Sequence, residues 1–121
     1  MCGIVAYLGD RDASGVLLEG LIRLEYRGYD SAGLAVQNGQ GVAVRKAGGN
    51  VAGLRTLIEG SPASGTCGIG HTRWATHGAP TSRNAHPHMD CRKSIAVVHN
   101  GIIENAAALR THLEARGHHF E

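Results

Sequence analysis

The chain has 121 residues, with 12 Lys and Arg against 10 Asp and Glu, and its formal net charge of +2 excludes both a polybasic nucleic-acid arm and an acidic solvating tail. At 42% hydrophobic residues it is too apolar for disorder, yet its apolar runs fall far short of the ~20 residues that cross a bilayer. One soluble domain at most is expected, with the cytoplasm as default because Met1-Cys2-Gly3 opens without a basic leader and apolar core.

The run Ile4-Val5-Ala6-Tyr7-Leu8, short and rich in strand formers, predicts a buried strand that starts the chain inside a sheet. Leu17, Leu18, Leu21 and Leu24 share one helical face between Ser14 and Glu25, with Gly28 able to close that helix. Ala32–Gln37 and Gly41–Arg45 flank Asn38-Gly39-Gln40, the signature of a hairpin. Val51, Leu54, Leu57 and Ile58 predict a second helix from about Asn50 to Glu59, stopped by Gly60 and Pro62. A strand over Thr66–Thr72 leads into a long polar loop, Arg73–Lys93, of the kind that often carries function. Ser94–His99 reads as the clearest buried strand, and a last helix runs from Asn105 as N-cap to Arg116, with Gly117 as its left-handed stop. This order predicts layered α/β or α+β packing, with a second sheet or a further chain needed to complete the core.

Cys2 follows the initiator Met, whose removal would leave a thiol and a free α-amino group on one residue. An α-amino group titrates near 8 and a thiol near 8.5, so such a residue can supply both nucleophile and base. A small buried hydrophobe at a strand start is the alternative for Cys2. His71 to Gly78 gathers an Arg, a Trp, two Thr and two His just past a strand end. Arg73 can grip a carboxylate in a planar fork, Thr76 and His77 can donate to its remaining lone pairs, and Trp74 can shield a small ligand; a polar turn with Trp74 in the core is the competing reading. Asn100-Gly101 fits either a simple turn or a pair of N–H donors for a developing oxyanion. The three cysteines, Cys2, Cys67 and Cys91, form neither a disulfide framework nor a CxxC motif, and Cys67 and Cys91 are read as structural. His86 and His88 form an HxH pair, and His118 and His119 are adjacent, but too few partners stand nearby for a zinc site, and no metal or cofactor is expected.

Together, Cys2-Gly3-Ile4-Val5, Glu25-Tyr26-Arg27-Gly28-Tyr29-Asp30-Ser31-Ala32-Gly33, His71 to Gly78, Asn84-Ala85-His86-Pro87-His88 and Val98 to Asn105 resemble the glutaminase domain of glutamine–fructose-6-phosphate aminotransferases, the glucosamine-6-phosphate synthases. These are class II glutamine amidotransferases. The resemblance runs from Met1 to about Phe120. It implies the N-terminal nucleophile fold, an α+β sandwich of two antiparallel sheets between helical layers, here over about its N-terminal half.

It further implies that Cys2 attacks the side-chain amide of glutamine, releasing ammonia and leaving a γ-glutamyl thioester that water hydrolyses to glutamate. Asn100 and Gly101 match the oxyanion hole, Arg73, Thr76 and His77 the carboxylate grip, and Trp74 the ammonia exit. Arg27 matches a residue that orients the cysteine terminus, and His86 a loop near the site. The family's Thr-Asp-Thr-Glu motif, whose Asp holds the α-amino group of glutamine, lies past Glu121. So does the sugar-phosphate isomerase domain that consumes the ammonia. The exposed sheet that such a half-domain leaves is expected to favour self-association. A half-domain that assembles with a complementary chain is the alternative function.

Overall fold

The computed structural model describes residues 1–121. Strand β1 (Gly3–Leu8) is followed by helix α1 (Ala13–Leu24), a 3-10 turn over Glu25–Arg27, the hairpin β2 (Ser31–Asn38) and β3 (Gly41–Gly48), helix α2 (Val51–Gly60) and β4 (Cys67–Arg73). Two short strands, β5 (His88–Met89) and β6 (Ala96–Val97), and helix α3 (Ala106–Glu114) complete the chain. The four longer strands form one antiparallel sheet in the order β1-β4-β2-β3, and β5 pairs with β6 in a separate ribbon.

Side chains on a strand alternate between its two faces, and β4 assigns the two sets different tasks. Gly68 and Gly70 face α1, where Leu17 and Leu21 lie directly over them, so the missing side chains let the helix settle close to the sheet. Cys67, Ile69, His71 and Arg73 occupy the opposite face. The core lies on the helix side: Ala13, Leu17 and Leu21 of α1 and Val51 and Leu54 of α2 pack on Ala32, Leu34 and Val36 of β2. Burying a leucine of this kind contributes about 1.5–3 kcal/mol.

Local signals agree with that packing. Asp12 caps α1 by accepting from Gly15 N at 3.3 Å, and Asn50 caps α2 by accepting from Gly53 N at 3.4 Å. Glu25 Oε2 also accepts from Val51 N at 3.1 Å, placing a carboxylate at the positive end of α2.

Four expectations need correction. β1 is an edge strand, with Ile4, Ala6 and Leu8 exposed on the face that no helix covers. Glu25 rather than Gly28 ends α1, and Gly28 closes the 3-10 turn in extended backbone. Ser94–His99 is not a buried strand: only Ala96 and Val97 pair, and Ile95 and Val97 are 60% and 54% exposed. Apolar β-branched residues make a strand cheap to bury, but burial needs a second layer, and none lies over this one. For the same reason α3 buries no residue, and Asn105 makes no side-chain capping bond. Gly117 ends its last turn at φ 91°, as expected.

Candidate active site

The β1–β4 register brings the two ends of the site together. Gly3 pairs with Thr72 and donates its N–H to Thr72 Oγ1 at 3.2 Å, so Cys2 emerges one step further, beside Arg73 and Trp74. Trp74 N donates to Cys2 Sγ at 3.2 Å. A close approach by Gly28 supports this junction, because a Cβ on Gly28 would sit 2.6 Å from the Arg73 carbonyl carbon and 2.9 Å from Trp74 N. Only a residue without a side chain fits there.

A cavity of about 450 Å³ opens at this point. Cys2, Arg73, Trp74, Thr76, His77, Asn100 and Gly101, all singled out in the sequence, line it. Arg27 does not line it; its Nη2 lies 3.3 Å from Met1 Sδ, beside the chain terminus. A smaller apolar cavity of about 280 Å³ lies further along the same sheet face, between Ile69 and Ile95, without a titrating side chain other than Cys67.

Arg73 is buried, and two of its donors are spent on the loop that follows: Nη1 reaches Ala79 O at 3.1 Å and Nη2 reaches His77 O. A guanidinium has five N–H groups, so two of them tie the loop down and three are not used by it. Asp30 holds the same loop from the other side, its Oδ2 accepting from Ala75 N. Thr76 Oγ1 and His77 Nδ1 are 3.0 Å apart at the cavity rim. Trp74 is 44% exposed rather than in the core, with its indole edge-on to Tyr29 at 5.3 Å.

On the far wall, Asn100 Nδ2 donates to the Cys2 carbonyl at 3.1 Å, and its Oδ1 lies 2.8 Å from Nε2 of the buried His71. His71 stacks on His86 at 4.4 Å, and His86 meets His88 edge-on at 4.4 Å. Burial is the leading cause that lowers all three imidazoles below the ordinary 6.5, with Arg73 adding to each. His86 is pushed down to about 3, by burial first and then by His71, His88, Arg73 and Lys46. The rings meet face and edge instead of aiming nitrogens at one point, and no three His, Cys, Asp or Glu side chains are arranged to hold a metal ion.

His71, Asp30 and Gly28 are the residues that sequence reasoning missed as supports of the site. For His71 a signal existed: period-two alternation puts it on the same face as Arg73. For Asp30 and Gly28 the relevant contacts join segments 45 residues apart, which no local pattern reports.

Two solved structures share this architecture over the whole chain. One is described as the allosteric regulatory enzyme of purine biosynthesis, with TM-score 0.82 and 28% identity. The other is glutamine phosphoribosylpyrophosphate amidotransferase from B. subtilis complexed with ADP and GMP, with TM-score 0.76 and 26% identity; this chain covers 26% of each. The fold is therefore that of the class II glutamine amidotransferases, the N-terminal nucleophile type.

Curated relatives narrow the class. The chain is 58% identical over 120 residues to glutamine–fructose-6-phosphate aminotransferase (isomerizing) of Thermus thermophilus, 54% over 121 residues to that of Clostridium acetobutylicum, and 55% over 123 residues to that of Mycobacterium tuberculosis. These alignments cover 99 to 100% of this chain, which spans about 20% of the length of each relative. No family model matches it. Over its whole length the chain is thus homologous to the N-terminal fifth of glutamine–fructose-6-phosphate aminotransferases (isomerizing).

Proposed function

We propose that the cavity hydrolyses the side-chain amide of glutamine, with Cys2 as nucleophile. The observation that carries this reading is the convergence of seven residues chosen from scattered motifs on one cavity, with the Cys2 thiol at its edge. Residues 1–121 then form the first part of a glutaminase domain, and an isomerase domain belongs to the remaining length of the relatives. Met1 is 77% exposed, so an aminopeptidase can reach it and free the α-amino group of Cys2.

The amine takes the thiol proton, and sulfur bonds to the amide carbon of glutamine. The oxyanion that forms accepts from the second Nδ2 hydrogen of Asn100 and from Gly101 N, the first hydrogen being held by the Cys2 carbonyl. The protonated amine returns the proton to the leaving nitrogen, the C–N bond breaks, and ammonia departs. Water, deprotonated by the same amine, then splits the thioester to glutamate and restores the thiol. Arg73, Thr76 and His77 hold the substrate α-carboxylate, Arg27 orients the cysteine terminus, and Trp74 covers the exit. No metal or cofactor is required for these steps. In the whole protein the ammonia converts fructose 6-phosphate to glucosamine 6-phosphate, and the compartment is the cytoplasm.

A glutamine analogue with a chloroketone in place of the amide tests the reading by intact mass and peptide mapping. One adduct on Cys2 of a chain lacking Met1 is expected, suppressed by excess glutamine and absent in Cys2→Ala. A folded, processed chain that stays unmodified, or an adduct on Cys67 or Cys91 instead, would overturn it.

A further inference from the structure

The buried His71 makes one side-chain hydrogen bond, to Asn100, and its other nitrogen, Nδ1, is the only buried side-chain polar atom without a partner in the chain. These two facts together fix more than either does alone. The Asn100 carboxamide has a donor end and an acceptor end. Its end near the Cys2 carbonyl must be the NH2 group, because a carbonyl oxygen can only accept. The end 2.8 Å from His71 Nε2 is then the carbonyl oxygen, so Nε2 carries the proton and donates. Nδ1 is left as a bare lone pair, which is a smaller cost in a buried place than an orphaned N–H.

We propose that His71 is a positioning residue for Asn100: its Nε2–H holds the carboxamide in the single orientation that turns the NH2 group toward Cys2 and the cavity. Without that donor only the Cys2 carbonyl holds the amide, and a half-turn would place its oxygen where the oxyanion forms. The stack on His86 hinders rotation of the His71 ring, since both rings lie nearly parallel, 22° apart, and turning it over would break the bond to Asn100. Gly33 permits the stack, because a Cβ there would collide with the His86 carbonyl. Arg73 beside the pair also disfavours a second proton on His71. This inference rests on the proposed glutaminase reading for its consequence, though the tautomer it requires does not.

Two measurements test it separately. Imidazole 15N shifts of the wild-type chain are expected to show His71 neutral, protonated at Nε2 and bare at Nδ1; protonation at Nδ1 would overturn the proposal whatever the activity. The second uses isosteres. His71→Gln places an amide nitrogen near the Nε2 position, whereas His71→Asn places one near Nδ1.

Saturation kinetics of Cys2 labelling by the chloroketone should then separate the two variants. His71→Asn is expected to lose ~10²-fold in maximal rate, the scale of one lost oxyanion donor. Its half-saturating concentration should stay within about threefold of wild type, because the loss falls on the reacting state and not on ground-state binding. His71→Gln should recover most of the rate. Alkylation by iodoacetamide, which forms no oxyanion, should be the same in all three. Equal losses in both variants, or a parallel loss with iodoacetamide, would reduce His71 to a packing residue. A wild-type chain that takes no label fails the glutaminase reading, and the tautomer then decides the inference alone.

Discussion

The stretch from Cys2 to Arg73 and the stretch from Trp74 to Glu121 come from one chain but are held by different forces. The first carries the whole apolar core, from Ala13 to Ala63, and four strands in continuous register. The second buries only Ala85 and Pro87 and is tied down by polar contacts: Arg73 to His77 and Ala79, Asp30 to Ala75, and Asn100 to Cys2. The cavity lies on the seam. Cys2, His71 and Arg73 come from the rigid side, while Trp74, Thr76, His77, Asn100 and Gly101 come from the loop side. A packed sheet can place a nucleophile within a fraction of an ångström. Loops can bring donors to it without demanding that the donors be hydrophobic.

The contrast can be broken most severely in the core. Leu34→Ala should cost about 2–5 kcal/mol, read from urea unfolding, because it opens a void beneath both helices; a cost under about 1 kcal/mol would mean that this half does not carry the stability. Gly28→Ala strikes the seam itself. It should cost about 1–3 kcal/mol through overpacking against the Arg73–Trp74 backbone and slow Cys2 labelling as well, and a variant with wild-type labelling would show that the junction tolerates displacement.

Acid should act more gently. His71, His86 and His88 have folded values below 6.5, so the unfolded chain binds more protons below that pH, and folding stability, complete above 6.5, declines as pH falls toward the folded value of about 3 for His86. For the half-buried His86 alone the loss from pH 7.5 to 5.5 is about 1 kcal/mol after allowing for solvent screening. His86→Phe should flatten that part of the slope, and an unchanged slope would place the titration elsewhere. At the weak end, Leu109→Ala on α3 should stay within about 0.5 kcal/mol. A larger effect would show that the open half has a packed partner in solution.

Much of this was readable in advance. The strand and helix patterns from Gly3 to Arg73 matched the observed elements to within a residue, except that β3 runs to Gly48, three residues past the expected Arg45, because each such element has one apolar face that packs on the core. The same rule failed for Ser94–His99, whose apolar residues lack a covering layer. The residues that line the cavity were also readable, since Cys2, Arg73, Trp74, Thr76, His77, Asn100 and Gly101 stand in motifs rich in polar and nucleophilic side chains. Their supports were not: His71 was read within a strand segment, Gly28 as a helix stop, and Asp30 only as one residue of a longer motif.

By itself, then, the sequence determined where the longer strands and helices lie and which residues offer reactive or polar groups, because periodicity and side-chain type are properties of neighbouring positions. Only the tertiary structure decided how the chemistry is aimed. The amide direction of Asn100, the proton position on His71 and the backbone approach at Gly28 depend on contacts between segments 29 or more residues apart, where geometry is set by the sheet register and not by any residue's own preference.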